Sequence, residues 1–324
     1  MGRFNALFVP LLLGVWLLGG LCLAQGVTPV VEDFETTVYP GLPAGWQRDP
    51  ALLPGQNAED VVCWKVVDKA NLYGEPAWAL DFPSGTRALY FGVVDPSIGE
   101  GSYEDGRNRV HQAVLTSQYN LVNITATGWI SISFWYLRQV EHYTGDEYDI
   151  AQVSYSLDGG ATWNLLWKKT SKDLCEQKWG KFVSDSLPIG AATTIQLKFE
   201  FDSVDGNFND FLGWVIDDLR IEEACPPLEV GLYDDSTPPN PVTEIEGRVG
   251  DPLTYWLIAE GGDPIDGNHY KWSLAEGYGF PGRITFGTES DKNGDGINDI
   301  PIAGTPESPG SWYVEIVVED AAGN

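Results

Sequence analysis

Two acidic constellations in this 324-residue chain have the residue types and spacing to hold a hard cation. The first is the adjacent pair Asp217-Asp218, inside the run Gly213-Trp214-Val215-Ile216-Asp217-Asp218-Leu219. Side chains two apart on a strand share a face, so Val215, Asp217, Leu219 and Ile221 are expected in one row. If that row faces the core, Asp217 points inward, and a buried carboxylate is costly unless a cation or several donors compensate it. The second constellation is Asp291-Lys292-Asn293-Gly294-Asp295-Gly296-Ile297-Asn298-Asp299. Oxygen-bearing side chains at its first, third and fifth positions and glycine at the sixth match the opening of an EF-hand-type loop. At the twelfth position Ile302 replaces the bidentate glutamate, and Asp299 is the residue placed to substitute. Asp291, Asn293, Asp295 and Asp299 are therefore candidate calcium ligands, set against the plainer alternative of a polar hairpin loop built on Gly and Asn.

Groups for bond-breaking chemistry are missing. His111, His142 and His269 are the only histidines, and no HExxH, GxSxG or Cys/His nucleophile arrangement accompanies them. Carboxylates are so numerous that a glycosidase pair could be drawn anywhere, so their number carries no information. No Gly-rich phosphate loop occurs, and a non-enzymatic protein is expected. Ser156-Leu157-Asp158-Gly159-Gly160-Ala161-Thr162-Trp163 fits the SxDxGxTW pattern of the Asp-box. A single copy does not make a propeller, and it reads as a tight hairpin whose aspartate accepts from backbone amides. Among the many tryptophans, Trp78 and Trp179 sit in loop-like contexts and are nominated to stack on a ligand; those in strand patterns belong to a core.

These residues must be positioned by strands. After residue 25, helix-period patterns give way to short β-branched and aromatic runs punctuated by Gly, Asp, Asn and Pro. Strands are predicted over 61–67, 87–93, 110–116, 129–138, 148–157, 162–168, 194–201 and 212–221. In Ile130-Ser131-Ile132-Ser133-Phe134-Trp135-Tyr136, large and small polar residues alternate, so one face is buried and one is wet. Glu223-Ala224-Cys225-Pro226-Pro227 breaks the rhythm and marks a boundary. Beyond it the chain offers roughly seven short strands, enough for an immunoglobulin-like sandwich.

Met1-Gly2-Arg3 followed by an apolar run to Leu23 and the small residue Ala24 has the layout of a secretory signal peptide, assigned to residues 1–24. No second hydrophobic segment follows, so no membrane span is expected after its removal. The balance of 47 acidic against 19 basic residues gives a formal charge of −28, which repels nucleic acid and attracts divalent cations. An oxidising compartment permits one disulfide among Cys63, Cys175 and Cys225, whose pairing spacing does not reveal.

Residues 31–221 resemble the MAM-like jelly rolls of extracellular proteins. The likeness is carried in order by Val31-Glu32-Asp33-Phe34-Glu35 with Gly45-Trp46, Ala88-Leu89-Tyr90-Phe91-Gly92, Leu115-Thr116-Ser117, Ile132-Ser133-Phe134-Trp135-Tyr136, and the closing run through Asp217-Asp218. The cysteine that many such domains carry before the opening acidic strand is absent. The resemblance implies that the opening strand lies near the closing one, which would bring Glu35 or Asp33 towards Asp217 and Asp218 as a calcium site. Residues 228–324 resemble the bacterial putative-Ig, cadherin-like module through Ile302-Ala303-Gly304-Thr305-Pro306, Gly310-Ser311-Trp312-Tyr313 and Glu319-Asp320-Ala321-Ala322-Gly323-Asn324. Such modules are spacers or adhesive units of larger surface proteins.

The expected architecture is all-β: a jelly-roll β-sandwich over 25–225 followed by an immunoglobulin-like β-sandwich over 226–324. The expected role is a secreted or cell-surface, non-catalytic protein for adhesion or ligand recognition. It is calcium-stabilised, takes an extracellular protein or glycan as partner, and is joined to further domains of the same protein. The alternative is the accessory carbohydrate-binding region of a secreted hydrolase whose catalytic domain lies outside this chain.

Overall fold

Along Thr194–Asp202, Ile195, Leu197, Phe199 and Phe201 are fully buried while the residues between them reach solvent. This period of two belongs to a strand with one face in a core. In the computed structural model it is the middle strand of a five-stranded antiparallel sheet, ordered Asn164–Lys169, Ile150–Ser156, Thr194–Asp202, Gln112–Asn120, Gln47–Asp49. The structure describes residues 3–7, 28–74, 78–79, 81–95, 100–104, 112–121, 124–125, 127–176, 178–308, 310, 312 and 314–321. The chain divides into two compact units, one of Ala24–Glu223 and one of Ala224–Asn324 with Met1–Leu23.

In the first unit an eight-stranded sheet faces the five-stranded one. Its main path runs Gly180–Val183, Trp129–Gln139, Gly213–Glu223, Arg87–Val94, Cys63–Asp68, and Val30–Glu32 adds to the closing strand Gly213–Glu223. Aromatic side chains from both sheets meet in the middle. Trp214 stacks on Trp167 with ring centroids 5.3 Å apart, and Phe91 stacks on Phe201 at 4.6 Å. Such pairs add to the area burial that holds a sandwich together. The other face of the eight-stranded sheet is covered too: Val67, Ala88, Tyr90, Leu137 and Val215 form a second apolar layer with Leu72, Phe82, Tyr39 and Trp179. All eight predicted strands are present, each within a few residues of its expected ends.

Among the described residues, the second unit places seven short strands between Glu229 and Glu319. Glu229–Asp234, Leu253–Glu260, Ile300–Gly304 and Thr285–Phe286 form one sheet, and Lys271–Leu274 pairs with Ile316–Glu319. Glu244–Arg248 pairs with Arg3–Leu7, inside the segment read as an export signal. The core gathers Ile245, Leu253, Leu257, Ile284, Ile300, Ile302, Val314 and Ile316. The chain is all-β. Cys63 and Cys175 carry free thiols and Cys225 is disulfide-bonded, so the bridge expected among these three cysteines does not form within that set.

Candidate functional site

The closing strand does not keep a single row through its acidic pair. Trp135 pairs with Asp217 and Ser133 with Arg220, so two residues, Asp218 and Leu219, stand opposite Phe134 alone. Asp218 takes the left-handed conformation, φ 48°, which aspartate tolerates better than most side chains. This β-bulge exchanges the faces. Trp214, Ile216, Leu219 and Ile221 enter the inter-sheet core, while Val215 joins the outer layer. The expected row of Val215, Asp217, Leu219 and Ile221 is thus corrected: Asp217 shares its face with Val215 and not with Leu219 and Ile221.

Asp217 is fully buried all the same. Its Oδ2 accepts from the Ser84 amide at 2.9 Å, and its Oδ1 accepts from Ser84 Oγ at 3.0 Å and the Asp218 amide at 2.7 Å. Burial pushes its carboxyl up to about 6 against the pull of these donors. Asp218 turns to Arg220, Nε to Oδ1 at 3.0 Å. Glu35 works on the same turn two residues later. Its Oε1 accepts from the amides of Thr86 at 2.7 Å and Arg87 at 2.6 Å, and its Oε2 accepts from Thr86 Oγ1 at 3.1 Å. Gly85 between them has φ 49°, and a Cβ there would collide with the Glu35 carboxylate. Glu35 and Asp217 therefore both clasp residues 84–87. Each carboxylate oxygen of the clasp has a hydrogen-bond donor, the second of the two ways a buried acid is compensated.

In the second unit, loop 291–299 is curled by its own side chains. Asp291 accepts from the amides of Gly294 and Gly296 at 2.6 and 3.0 Å, Asn293 from that of Asp295 at 3.2 Å, and Asp295 from that of Ile297 at 2.8 Å. Asp299 is 1% exposed; its Oδ2 accepts from the Lys292 amide at 2.9 Å, and its Oδ1 has no partner. Burial, then the charge of Asp295 and that of Asp291, push its carboxyl up to about 6 against the pull of the Lys292 and Asn293 amides. Ile302, the residue at the twelfth loop position, is fully buried in the core of the unit, where a glutamate could not stand. Among the described residues no three acidic, histidine or cysteine side chains already surround one point.

Of the nominated tryptophans, Trp179 packs edge-on against Phe82 at 5.9 Å in the outer apolar layer, with its indole N–H buried and unpartnered. Trp78 lies in the short strand Trp78–Ala79, and its side chain falls outside the described residues.

The solvent side of the five-stranded sheet was not nominated, yet its polar side chains pair with one another across strands. Register places Gln118 beside Gln196 and Gln152 beside Glu200. Gln196 Nε2 donates to Gln118 Oε1 at 2.9 Å, and Gln152 Nε2 donates to Glu200 Oε2 at 2.8 Å. Lys198 Nζ pairs with Glu200 Oε2 at 3.1 Å and lies 4.7 Å above the Trp163 ring. The Asp-box hairpin delivers that ring. Asp158 Oδ1 accepts from the Thr162 amide at 2.9 Å, and its Oδ2 from Thr162 Oγ1 at 2.6 Å, fixing the turn that ends at Trp163. These donors hold the Asp158 carboxyl down at about 2. Only cross-strand pairing of residues far apart in sequence reveals this face.

A second buried acid also escaped sequence reasoning. Asp149, fully buried at φ 48°, accepts from Tyr103 Oη at 2.8 Å and the Glu141 amide at 3.3 Å through Oδ2, and its Oδ1 is unpartnered. Burial pushes its carboxyl up to about 7.

No family model and no curated protein matches the chain. Solved structures give distant likenesses only. The K1 cleaved adhesin domain of Lys-gingipain from Porphyromonas gingivalis W83 aligns at 18% identity over 60% of this chain and 98% of its own, with TM-score 0.34. The family-27 carbohydrate-binding module of Caldicellulosiruptor saccharolyticus in complex with mannohexaose aligns at 18% identity over 60% of this chain and 97% of its own, also at 0.34. A family-61 carbohydrate-binding module in complex with β-1,4-galactotriose gives 17% identity, 58% and 92% coverage, and 0.33. Superpositions with TM-scores this low do not establish a shared topology.

Proposed function

We propose that the first unit is a non-catalytic extracellular recognition module that takes a glycan on the solvent face of its five-stranded sheet. The observation that carries this reading is the row Gln118–Gln196 and Gln152–Glu200–Lys198 beside the Trp163 ring. Sugars present hydroxyl groups that donate and accept at once, and apolar C–H faces that stack on indoles. Amide, carboxylate and ammonium groups side by side match the first, and Trp163 matches the second. Because the side chains already hold one another, little rotamer freedom is lost on binding. A sheet is also a stiffer platform than a loop. Adhesion to a surface glycan and targeting of an attached hydrolase use such a face in the same way. The acidic surface of the chain, at net charge −28, favours neutral glycans over sulfated or uronic ones.

The test is retention of the full chain on a panel of insoluble and immobilised neutral polysaccharides. Trp163→Ala and Gln196→Ala are expected to lose retention while keeping the wild-type melting temperature within a few degrees. Retention that survives both substitutions removes this face from recognition. A wild-type chain held by no glycan turns the search to protein partners.

A further inference from the structure

We infer that loop 291–299 is a calcium site with its seat on Asp299 Oδ1, and that the Glu35–Asp217 clasp in the other unit is closed by protein donors alone. The inference is independent of the glycan reading. A run of acidic residues is not in itself a site, because it is equally a solvated turn. Here one atom decides the matter. Asp299 is held in place at every other polar point: its amide donates to Ser290 O and its carbonyl accepts from the Ser290 amide, both at 3.0 Å, and its Oδ2 accepts from the Lys292 amide. Only Oδ1 is left without a partner, on a residue 1% exposed. A buried carboxylate oxygen with nothing to receive it is among the costliest groups in a folded chain, and a cation removes that cost.

The loop supplies no cation of its own. Lys292, its one basic residue, turns away: Nζ reaches Asp235 Oδ1 at 3.1 Å and its carbonyl at 3.2 Å, and it lies 5.3 Å from the Trp256 ring. Asp291, Asp295 and Asp299 therefore share one loop in which, among the described residues, no basic side chain pairs with them. Asp291 and Asp295 do accept amide hydrogens, yet a carboxylate oxygen has two acceptor positions, so these bonds shape the loop without using it up. Gly294 and Gly296, at φ 87° and 90°, permit the curl.

The donor set fixes the class of ion. Carboxylates and an amide oxygen from Asn293, with no thiolate or imidazole among them, suit a hard divalent ion. A flexible loop with many oxygens suits calcium better than magnesium, which demands near-ideal octahedral geometry and keeps its waters. In the clasp, by contrast, each oxygen of Glu35 and Asp217 has at least one donor.

The experiment uses the full chain, stripped with chelator and titrated with calcium chloride in a calorimeter, with melting scans in calcium and in EGTA. One calcium per chain is expected, with a rise of several degrees in the melting transition of the second unit. Asp295→Asn, at an exposed position that leaves the core untouched, is expected to weaken binding at least tenfold. Asp299→Asn is expected to abolish it, and Asp217→Asn to leave it within twofold of wild type. Failure of calcium to bind or to shift any transition overturns the inference, as does binding that survives Asp295→Asn and Asp299→Asn but is lost with Asp217→Asn. Equal response to magnesium at the same concentration overturns the assignment to calcium.

Discussion

Asp149 makes the stability of the first unit depend on pH in a direction opposite to that of most paired carboxylates. Its folded carboxyl sits at about 7 against an ordinary 3.8, because it is fully buried and only Tyr103 Oη and the Glu141 amide meet it. The charge of Glu141 adds to the rise, and Arg138 and the hydrogen bonds oppose it. Between those two values the folded state holds a proton that the unfolded chain has released. Stability is thus complete below about 4 and falls as pH rises through about 7. The slope for one proton is about 1.4 kcal/mol per pH unit. From pH 5 to pH 8 only the stretch up to about 7 counts, which gives a loss of about 2–3 kcal/mol. For a unit of this size that is roughly 5–10 °C in melting temperature. Asp149→Asn isolates the effect. Its carbonyl oxygen keeps the acceptor role, asparagine tolerates the φ of 48°, and the charge is gone. The amide introduces an unpaired N–H at the position of Oδ1, a pH-independent offset of about 1–3 kcal/mol. The slope is therefore the measurement and the offset is not. Calorimetric scans of both chains from pH 5 to 8, following the first unit, should show the variant catching up with wild type by that amount. Curves that stay parallel across the range would refute the protonation of Asp149 in the folded state.

Other outcomes follow from the packing of the first unit. Trp214 touches Trp64 at 5.2 Å and Trp167 at 5.3 Å in the centre of the sandwich, so Trp214→Ala should cost about 3–5 kcal/mol in a urea titration, and a cost under about 1 kcal/mol would show that the sheets do not meet there. Gly85→Ala combines a left-handed φ with a collision against Glu35 and should cost about 1–3 kcal/mol, whereas a variant as stable as wild type would mean that the clasp on residues 84–87 is loose. Arg138, fully buried, donates to the carbonyls of Thr170 at 2.6 Å and Asp173 at 3.2 Å; Arg138→Met should destabilise the first unit by about 3 kcal/mol by stranding these acceptors beside Glu176, and an unchanged urea midpoint would contradict that.

Strands were legible because their cause is local. Period-two alternation in Ile130–Tyr136 or Thr194–Phe201 depends on nothing outside the segment, and both runs are strands that bury one row, Ile130, Ile132, Phe134 and Tyr136 in the first and Ile195, Leu197, Phe199 and Phe201 in the second. Asp217 was misplaced for an equally definite reason. Counting by twos assumes an unbroken pleat, and a bulge whose left-handed residue is aspartate rather than glycine leaves no punctuation in the sequence. Trp163 was seen, but only as the end of a hairpin motif. Its partner Lys198 and the pairs Gln118–Gln196 and Gln152–Glu200 come together through register between strands, which no single segment encodes.

The acids show where composition stops being informative. A formal charge of −28 treats Asp158, Asp217, Asp149 and Asp299 alike. What separates them is how each carboxylate is met. Asp158 accepts from Thr162 and Ser156 in a turn and is held down at about 2, as an anion that shapes a hairpin. Asp217 is buried with three donors, a structural clasp. Asp149 is buried with one oxygen unmet and is neutralised by a proton below about 7, with Arg138 the basic group that bears on it. Asp299 is buried with one oxygen unmet in a loop that carries two more carboxylates, Asp291 and Asp295, so a divalent ion has further ligands to draw in where a proton has none. Calcium competes with protons for the carboxylates of this loop, so it should raise the melting temperature of the second unit less at pH 5 than at pH 7. A calcium shift that grows as pH falls would reverse the ordering and place the ion elsewhere.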